Sequence, residues 1–226
     1  MNAAASPQPL TMRHARQLET VHRAVTEGLM TGAAYLSRFV GRPLTIEAPR
    51  LGLCAIEDLV SCTLGSAFDD ALWSEAESVK TGIYLTISGD VEGHFVMLLD
   101  PDEARSLVLP MIKELNIPFA QQDEMILSAL AEIGNITLCA VVNGLADATK
   151  LTIIPSCPVV FNDMAGAILE LPMLDIAQFS DEALYIETRI SMDNVAAKSA
   201  MALIPRPQGL EMLIQHLTKK TKKGVA

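Results

Sequence analysis

One stripe of this sequence carries side chains that could act together on a docked protein. Ser128, Glu132 and Asn135 follow one another at helical spacing, and at 3.6 residues per turn Glu132 lies roughly 40° and Asn135 roughly 20° from Ser128 around the axis. Glu124 and Cys139 fall on the same stripe, whereas apolar residues occupy the opposite face. A hydroxyl, a carboxylate and a carboxamide can hydrogen-bond to an approaching protein surface. They could equally be the solvated face of an amphipathic helix.

Two features favour a functional stripe over a solvated face. Gly134 and Asn135 are poor helix formers, and Gly costs up to ~1 kcal/mol relative to Ala in a helix interior. We therefore expect a reason for their presence, such as small side chains beside the stripe that leave room for a partner to approach. The equivalent stripe of an earlier helix carries Arg23, Glu27 and Met30, so only the glutamate is present there.

The elements that would position this stripe form two similar halves. A long helix is predicted from Leu10 to Phe39 and a second from Gln121 to Leu145, each followed by a short strand, a hairpin and a closing helix. The predicted strands are 44–47, 82–88, 94–99, 151–154, 183–190 and 196–203, and the shorter helical segments are 58–73, 102–115, 163–170 and 208–217.

Matching residues recur between the halves at offsets of roughly a hundred residues. The matches pair Glu27 with Glu132, 44–46 with 151–153 and 87–90 with 190–193. The sequence therefore predicts an α+β fold in which a pseudo-twofold duplicated unit forms one central antiparallel sheet with two long helices packed on it. Residues 1–9 are expected to be a disordered leader, 10–217 a single domain of two repeats (10–116 and 121–217), and 218–226 a basic tail.

Composition excludes several classes of function. The 226 residues include 17 Lys and Arg against 27 Asp and Glu, a net charge of −10, which disfavours nucleic acid as a partner. No signal peptide and no uncharged apolar run of ~20 residues is evident, so we expect a cytoplasmic protein without membrane insertion. The four cysteines have no Cys-x-x-Cys pair and are expected to be reduced. The histidines show no ligand spacing, so no metal site is predicted.

The pattern Ser128-x3-Glu132-x2-Asn135-x22-Pro158 resembles the active-site motif of the CheC/CheX/FliY family of chemotaxis phosphatases. The segments 132–136 and 162–169 are similar to the local sequences around the active-site motif in that family. The two-halved organisation from about residue 10 to 217 is similar to the CheC type in particular.

This resemblance implies an enzyme that hydrolyses the aspartyl-phosphate of the response regulator CheY in a two-component system. By the resemblance, Asn135 orients the attacking water and Glu132 pairs with a Lys of the partner. Ser128 and Glu124 extend the docking contact, and Pro158 shapes the loop near the site. The protein needs no cofactor of its own, because Mg²⁺ is held by the response regulator. The first half, with Glu27 and Met30, is a degenerate pseudo-site, since Met cannot orient a water.

Two other functions remain open from the sequence. By the same resemblance, the chain could be a non-catalytic adaptor that binds CheD or CheY and regulates chemotaxis signalling. A structural component of the flagellar switch is the weaker alternative, because no switch-type domain is evident. The Glu132 and Asn135 pair favours catalysis, since an adaptor has no need of the amide.

Overall fold

The computed structural model describes residues 12–60, 76–114, 118–176, 182–192 and 195–223. Among these residues, each half of the chain has a long helix, two short strands, a hairpin and a closing helix in that order, and the second half has a further helix before its hairpin. The helices are α1 (Met12–Val40), α2 (Pro101–Glu114), α3 (Gln122–Thr149), α4 (Ala165–Ile176) and α5 (Pro207–Lys223). The strands are β1 (Leu44–Ile46), β2 (Arg50–Ala55), β3 (Val79–Gly89), β4 (Gly93–Leu99), β5 (Ile153–Pro155), β6 (Val159–Met164), β7 (Glu182–Met192) and β8 (Val195–Pro205).

The strands form one antiparallel sheet in the order β1-β7-β8-β4-β3-β5. Strand β2 also pairs with β7, and β6 also pairs with β3. The two short strands of each half therefore pair with the hairpin of the other half, and β4 and β8 meet at the centre. This exchange joins the halves into one sheet and confirms the predicted α+β fold.

The sheet separates two hydrophobic layers. All seven residues of β4 are buried, because its alternate side chains face opposite layers. Phe95, Met97 and Leu99 pack in the layer that also holds buried residues of α1, α2 and α3. Val96 and Leu98 pack on the other side, against buried residues of α4. The two long helices thus lie together on one face of the sheet, as predicted.

Helices α1 and α3 cross closely because small residues line their contact. A Cβ on Gly28 would lie 2.2 Å from the carbonyl oxygen of Ala140, and a Cβ on Gly144 would lie 2.3 Å from the carbonyl oxygen of Ala24. A Cβ on Gly32 would lie 2.7 Å from the Cβ of Ala140. As the residue number increases along α1, the residue number of the contact on α3 decreases, so the two helices are antiparallel.

Among the described residues, one helix has the length and the apolar composition that crossing a membrane requires, and this helix is α3. Half of its most apolar window is buried inside the fold. It packs on α1 and on the sheet, so its apolar character is that of a core helix.

Several boundaries differ from the sequence prediction. Strands β2 and β6 were not predicted, and both lack a clean alternation of buried and exposed residues. Helix α2 is capped by Asp100, whose Oδ1 accepts the backbone N–H of Asp102 at 3.0 Å, so the helix begins one residue before the predicted start at 102. The predicted leader 1–9 and most of the predicted helical segment 58–73 lie outside the described residues.

Three helices continue beyond their predicted ends. Helix α3 reaches Thr149, where Lys150 takes a left-handed conformation with φ 62° and donates its N–H to the Ala146 carbonyl. Helix α4 extends from the predicted 163–170 to Ile176. Helix α5 continues to Lys223, so the backbone of the predicted basic tail 218–226 is helical up to that residue.

Candidate active site on helix α3

Helix α3 separates an apolar face from the stripe that carries Glu132 and Asn135. Ile126, Leu130 and Ile133 are buried against the sheet side. Glu132 and Asn135 are half-buried on the opposite side, one helical turn apart. The amphipathic pattern of the helix therefore fixes which way the two polar side chains face.

Gly134 has a packing role that the sequence did not predict. It is buried, and a Cβ there would lie 2.5 Å from the Cδ1 of Ile83 on β3. The glycine thus lets α3 approach the sheet closely. The expectation was that Gly134 gives a partner steric access to the side of the functional stripe. This expectation is wrong, because the residue faces the sheet.

The remaining predicted site residues lie outside the pair, two of them on α3 and one in the loop after β5. Ser128 and Glu124 are exposed on earlier turns of α3. Pro158 is half-buried between β5 and β6. The first turn of α3 is tied to α2 by an ion pair of 2.8 Å between Arg105 and Asp123.

A groove of about 750 Å³ runs between α1 and α3, and Asn135 lines it. Cys139 and Asn143 continue the α3 wall on successive turns, and Tyr35 and Phe39 are part of the α1 wall. The two aromatic residues are 58% and 49% exposed. Since Gly32 lies near Ala140 and Ile136 in the helix crossing, Tyr35, one turn further along α1, lies near the level of Asn135.

The amide of Asn135 is contacted by the thiol of Cys139. The Cys139 Sγ donates to Asn135 Oδ1 at 3.4 Å. Burial raises the pKa of the Cys139 thiol, and the negative charge of Glu132 raises it further. The thiol is therefore protonated at neutral pH and acts as a hydrogen-bond donor.

The corresponding positions of the first half carry no amide. Glu27 and Arg23 are exposed and line the far part of the same groove. Met30 is 66% exposed and lines a smaller neighbouring cavity with Tyr35 and Arg38. A thioether is only a weak acceptor and donates no hydrogen bond, so this position cannot reproduce the chemistry of Asn135.

Tyr35 and Phe39 were not identified from the sequence. They stand four residues apart on α1, which places them on one face of the helix. A small-residue stripe on α1, with Gly28 and Gly32, and a matching pair on α3, Ala140 and Gly144, could have indicated the helix contact. The antiparallel alignment of those stripes would then have placed Tyr35 beside Asn135.

Fold and site together define a protein with a central antiparallel sheet, two antiparallel helices on one face and a Glu-x-x-Asn pair on one of them. The CheC-like family model matches residues 125–161, the segment that contains this pair. The chain is 25% identical over 205 residues to the protein named CheY-P phosphatase CheC of Bacillus subtilis (strain 168), an alignment that covers 89% of this chain and 93% of that protein.

Two further comparisons agree with this match. The protein named putative CheY-P phosphatase CheC1 of Halobacterium salinarum is 26% identical over 148 residues, which cover 66% of this chain and 70% of that protein. The crystal structure of Thermotoga maritima FliY superposes with a TM-score of 0.65 at 16% identity and covers 94% of this chain and 100% of that chain, which shows a shared fold. The segment that contains the Glu-x-x-Asn pair is therefore similar to the CheC-like family, and the chain is similar in sequence to the proteins named CheC and CheC1 and in fold to FliY.

Proposed function

We propose that this chain is a phosphatase that hydrolyses the aspartyl-phosphate of a CheY-type response regulator. The observation that carries the proposal is the position of Asn135, a half-buried amide that lines an open groove one turn from Glu132. The names of the two relatives support this choice of substrate, since each name includes the words CheY-P phosphatase. A cytoplasmic location follows from that substrate.

The proposed reaction transfers the phosphoryl group to water. A water oxygen attacks phosphorus, the bond from phosphorus to the aspartyl oxygen breaks, and the water proton passes to phosphate or solvent. Because this reaction has a loose transition state, catalysis depends mainly on placing the nucleophile in line. The Asn135 amide suits this task, since its Oδ1 can accept from the water while its Nδ2 donates to an oxygen of the partner.

Glu132 is assigned the docking contact. Its carboxylate lies one turn from Asn135 and is half-buried, so an ammonium group of the partner that pairs with it would be partly shielded from solvent. Such a pair fixes the orientation of the docked protein more than it adds affinity. Mg²⁺ is expected on the response regulator. Ser128 and Glu124, exposed on earlier turns, extend the same contact surface.

The test is the decay of radiolabelled phosphate from phosphorylated CheY in the presence of Mg²⁺. Replacing one well-placed polar group in an active site costs about 10²–10³ in rate, so Asn135→Ala should reduce the acceleration by about that factor. Glu132→Gln should mainly raise KM. Met30→Ala should leave the rate unchanged.

Asn143→Ala is the matched control. Asn143 has the same side chain, lies on the same helix two turns further on, and lines the same groove. Equal losses in the Asn135 and Asn143 variants would show that the groove as a whole, rather than one amide, is required. A native chain that binds CheY or CheD without accelerating the decay would instead support the adaptor function.

A further inference from the structure

The hydrogen bond between Cys139 and Asn135 has a consequence for the proposed active site. The two residues lie one turn apart on α3, both are half-buried, and both line the groove between α1 and α3. Within the described ranges, the 3.4 Å contact from Sγ to Oδ1 is the side-chain hydrogen bond made to the Asn135 amide.

A carboxamide needs such a contact to hold one orientation. The terminal torsion of Asn is broad and roughly two-fold, so the oxygen and nitrogen can exchange places at little cost. A donor beside the oxygen favours one of the two orientations, because the amide nitrogen has no lone pair to accept from it. The two contacts proposed for the amide, from the water to Oδ1 and from Nδ2 to the partner, are then made from fixed positions.

The polar groups that neighbour the amide on α3 cannot replace the thiol in this role. Glu132 is a carboxylate and has no proton to donate when ionised. The Thr137 hydroxyl already donates to the Ile133 carbonyl at 2.7 Å. From α1, the charged groups facing the groove are Arg23 and Glu27, which carry opposite signs and lie at its far part.

We propose that Cys139 is a positioning residue for the phosphatase reaction, which holds the Asn135 amide with Oδ1 toward the thiol and so presets both the acceptor that meets the attacking water and the donor that meets the partner. This proposal rests on the proposed function. It assigns no contact between Cys139 and the substrate, and the thiol undergoes no covalent change.

Three substitutions separate the hydrogen bond from packing. Cys139→Ala removes the donor and leaves space, Cys139→Val fills the space without a donor, and Cys139→Ser keeps a donor. We expect Ala and Val to lower kcat by about three- to tenfold, the effect of one hydrogen bond, with KM within about twofold of native. Ser should recover most of the loss. Equal rates for Ala, Val and native, or a Ser variant as slow as Val, would overturn the proposal.

A second measurement works without any substrate. Nuclear relaxation of the Asn135 side-chain NH₂ group reports the order of the amide in the isolated protein. The order parameter should fall in the Ala and Val variants and be retained in Ser. Unchanged order in all variants would refute the positioning role even if the phosphatase activity is real. A native chain without activity but with this pattern of order would refute the proposed function and leave the amide contact established.

Discussion

Replacing Gly28 by Ala should destabilise the protein, although the same change in an exposed helix stabilises it. The added Cβ would lie 2.2 Å from the Ala140 carbonyl oxygen and 3.3 Å from the Cα of Gly144. Both atoms belong to the backbone of α3 and cannot move without the helix. The two long helices would therefore have to separate where they cross.

The size of the effect follows from two opposing contributions. Ordinary van der Waals contact begins at 3.4 Å, so the distance of 2.2 Å between the added Cβ and the Ala140 carbonyl oxygen must increase by more than 1 Å. Overpacking costs about 1–3 kcal/mol, and an overlap of this size with backbone atoms places the cost at about 2–3 kcal/mol. The change from Gly to Ala returns up to ~1 kcal/mol of helix propensity. The net loss of about 1–2 kcal/mol should lower Tm by about 2–8 °C for a chain of this length.

Thermal and urea denaturation followed by circular dichroism measure this loss. Thr31→Ala is the control, because it also raises helix propensity on α1 but removes an exposed side chain whose hydroxyl bonds to the Glu27 carbonyl. It should leave Tm unchanged or slightly higher. A Gly28→Ala protein as stable as native would show that α1 and α3 do not meet at this residue.

Three more changes test other parts of the structure. Tyr35→Ala should raise KM for phosphorylated CheY severalfold with little change in kcat, because the exposed ring lines the groove beside Asn135; a fall in kcat alone would contradict this. The His94 hydrogen bond lowers the pKa of the Asp175 carboxyl, so Asp175→Asn should cost no more than about 1 kcal/mol at neutral pH, where the carboxylate is ionised. This difference should vanish as the pH falls through the lowered pKa and the native carboxylate becomes protonated; urea titrations across pH would detect a difference that persists in acid. Lys150→Gly should raise Tm by a few degrees, since a left-handed non-glycine residue costs about 1–2 kcal/mol; an unchanged Tm would mean that the lysine side chain compensates.

Much of the fold was predictable because hydrophobic periodicity dominates it. The hairpins β3–β4 and β7–β8 alternate or run apolar and were assigned within a few residues. Strand β6 was missed because Asn162 and Asp163 give it the composition of a loop. Its position is set by tertiary contacts, including the hydrogen bond of 2.8 Å from Thr81 Oγ1 to Asn162 Oδ1.

The candidate site was predictable only along one helix. Helical spacing places Glu132 and Asn135 on one face without knowledge of the fold. The contributions of α1 could not be derived in this way, because Tyr35 reaches the site through the antiparallel packing of two segments about a hundred residues apart in the chain. Spacing also gave Gly134 the wrong role, since its contact with Ile83 depends on the depth at which α3 sits on the sheet.

The antiparallel pairing of α1 and α3 makes the two parts of the groove chemically different. Near Asn135 the opposing wall is aromatic, with Tyr35 and Phe39, whereas the far part has Arg23 and Glu27 from α1. A protein that docks on this surface meets an apolar contact beside the amide and charged groups away from it, so the reversed orientation would place its apolar groups against charge. For the proposed reaction, the asymmetry of the groove would therefore favour one orientation of the docked protein and one reacting position, in agreement with one half of the chain having Met30 where the other has Asn135.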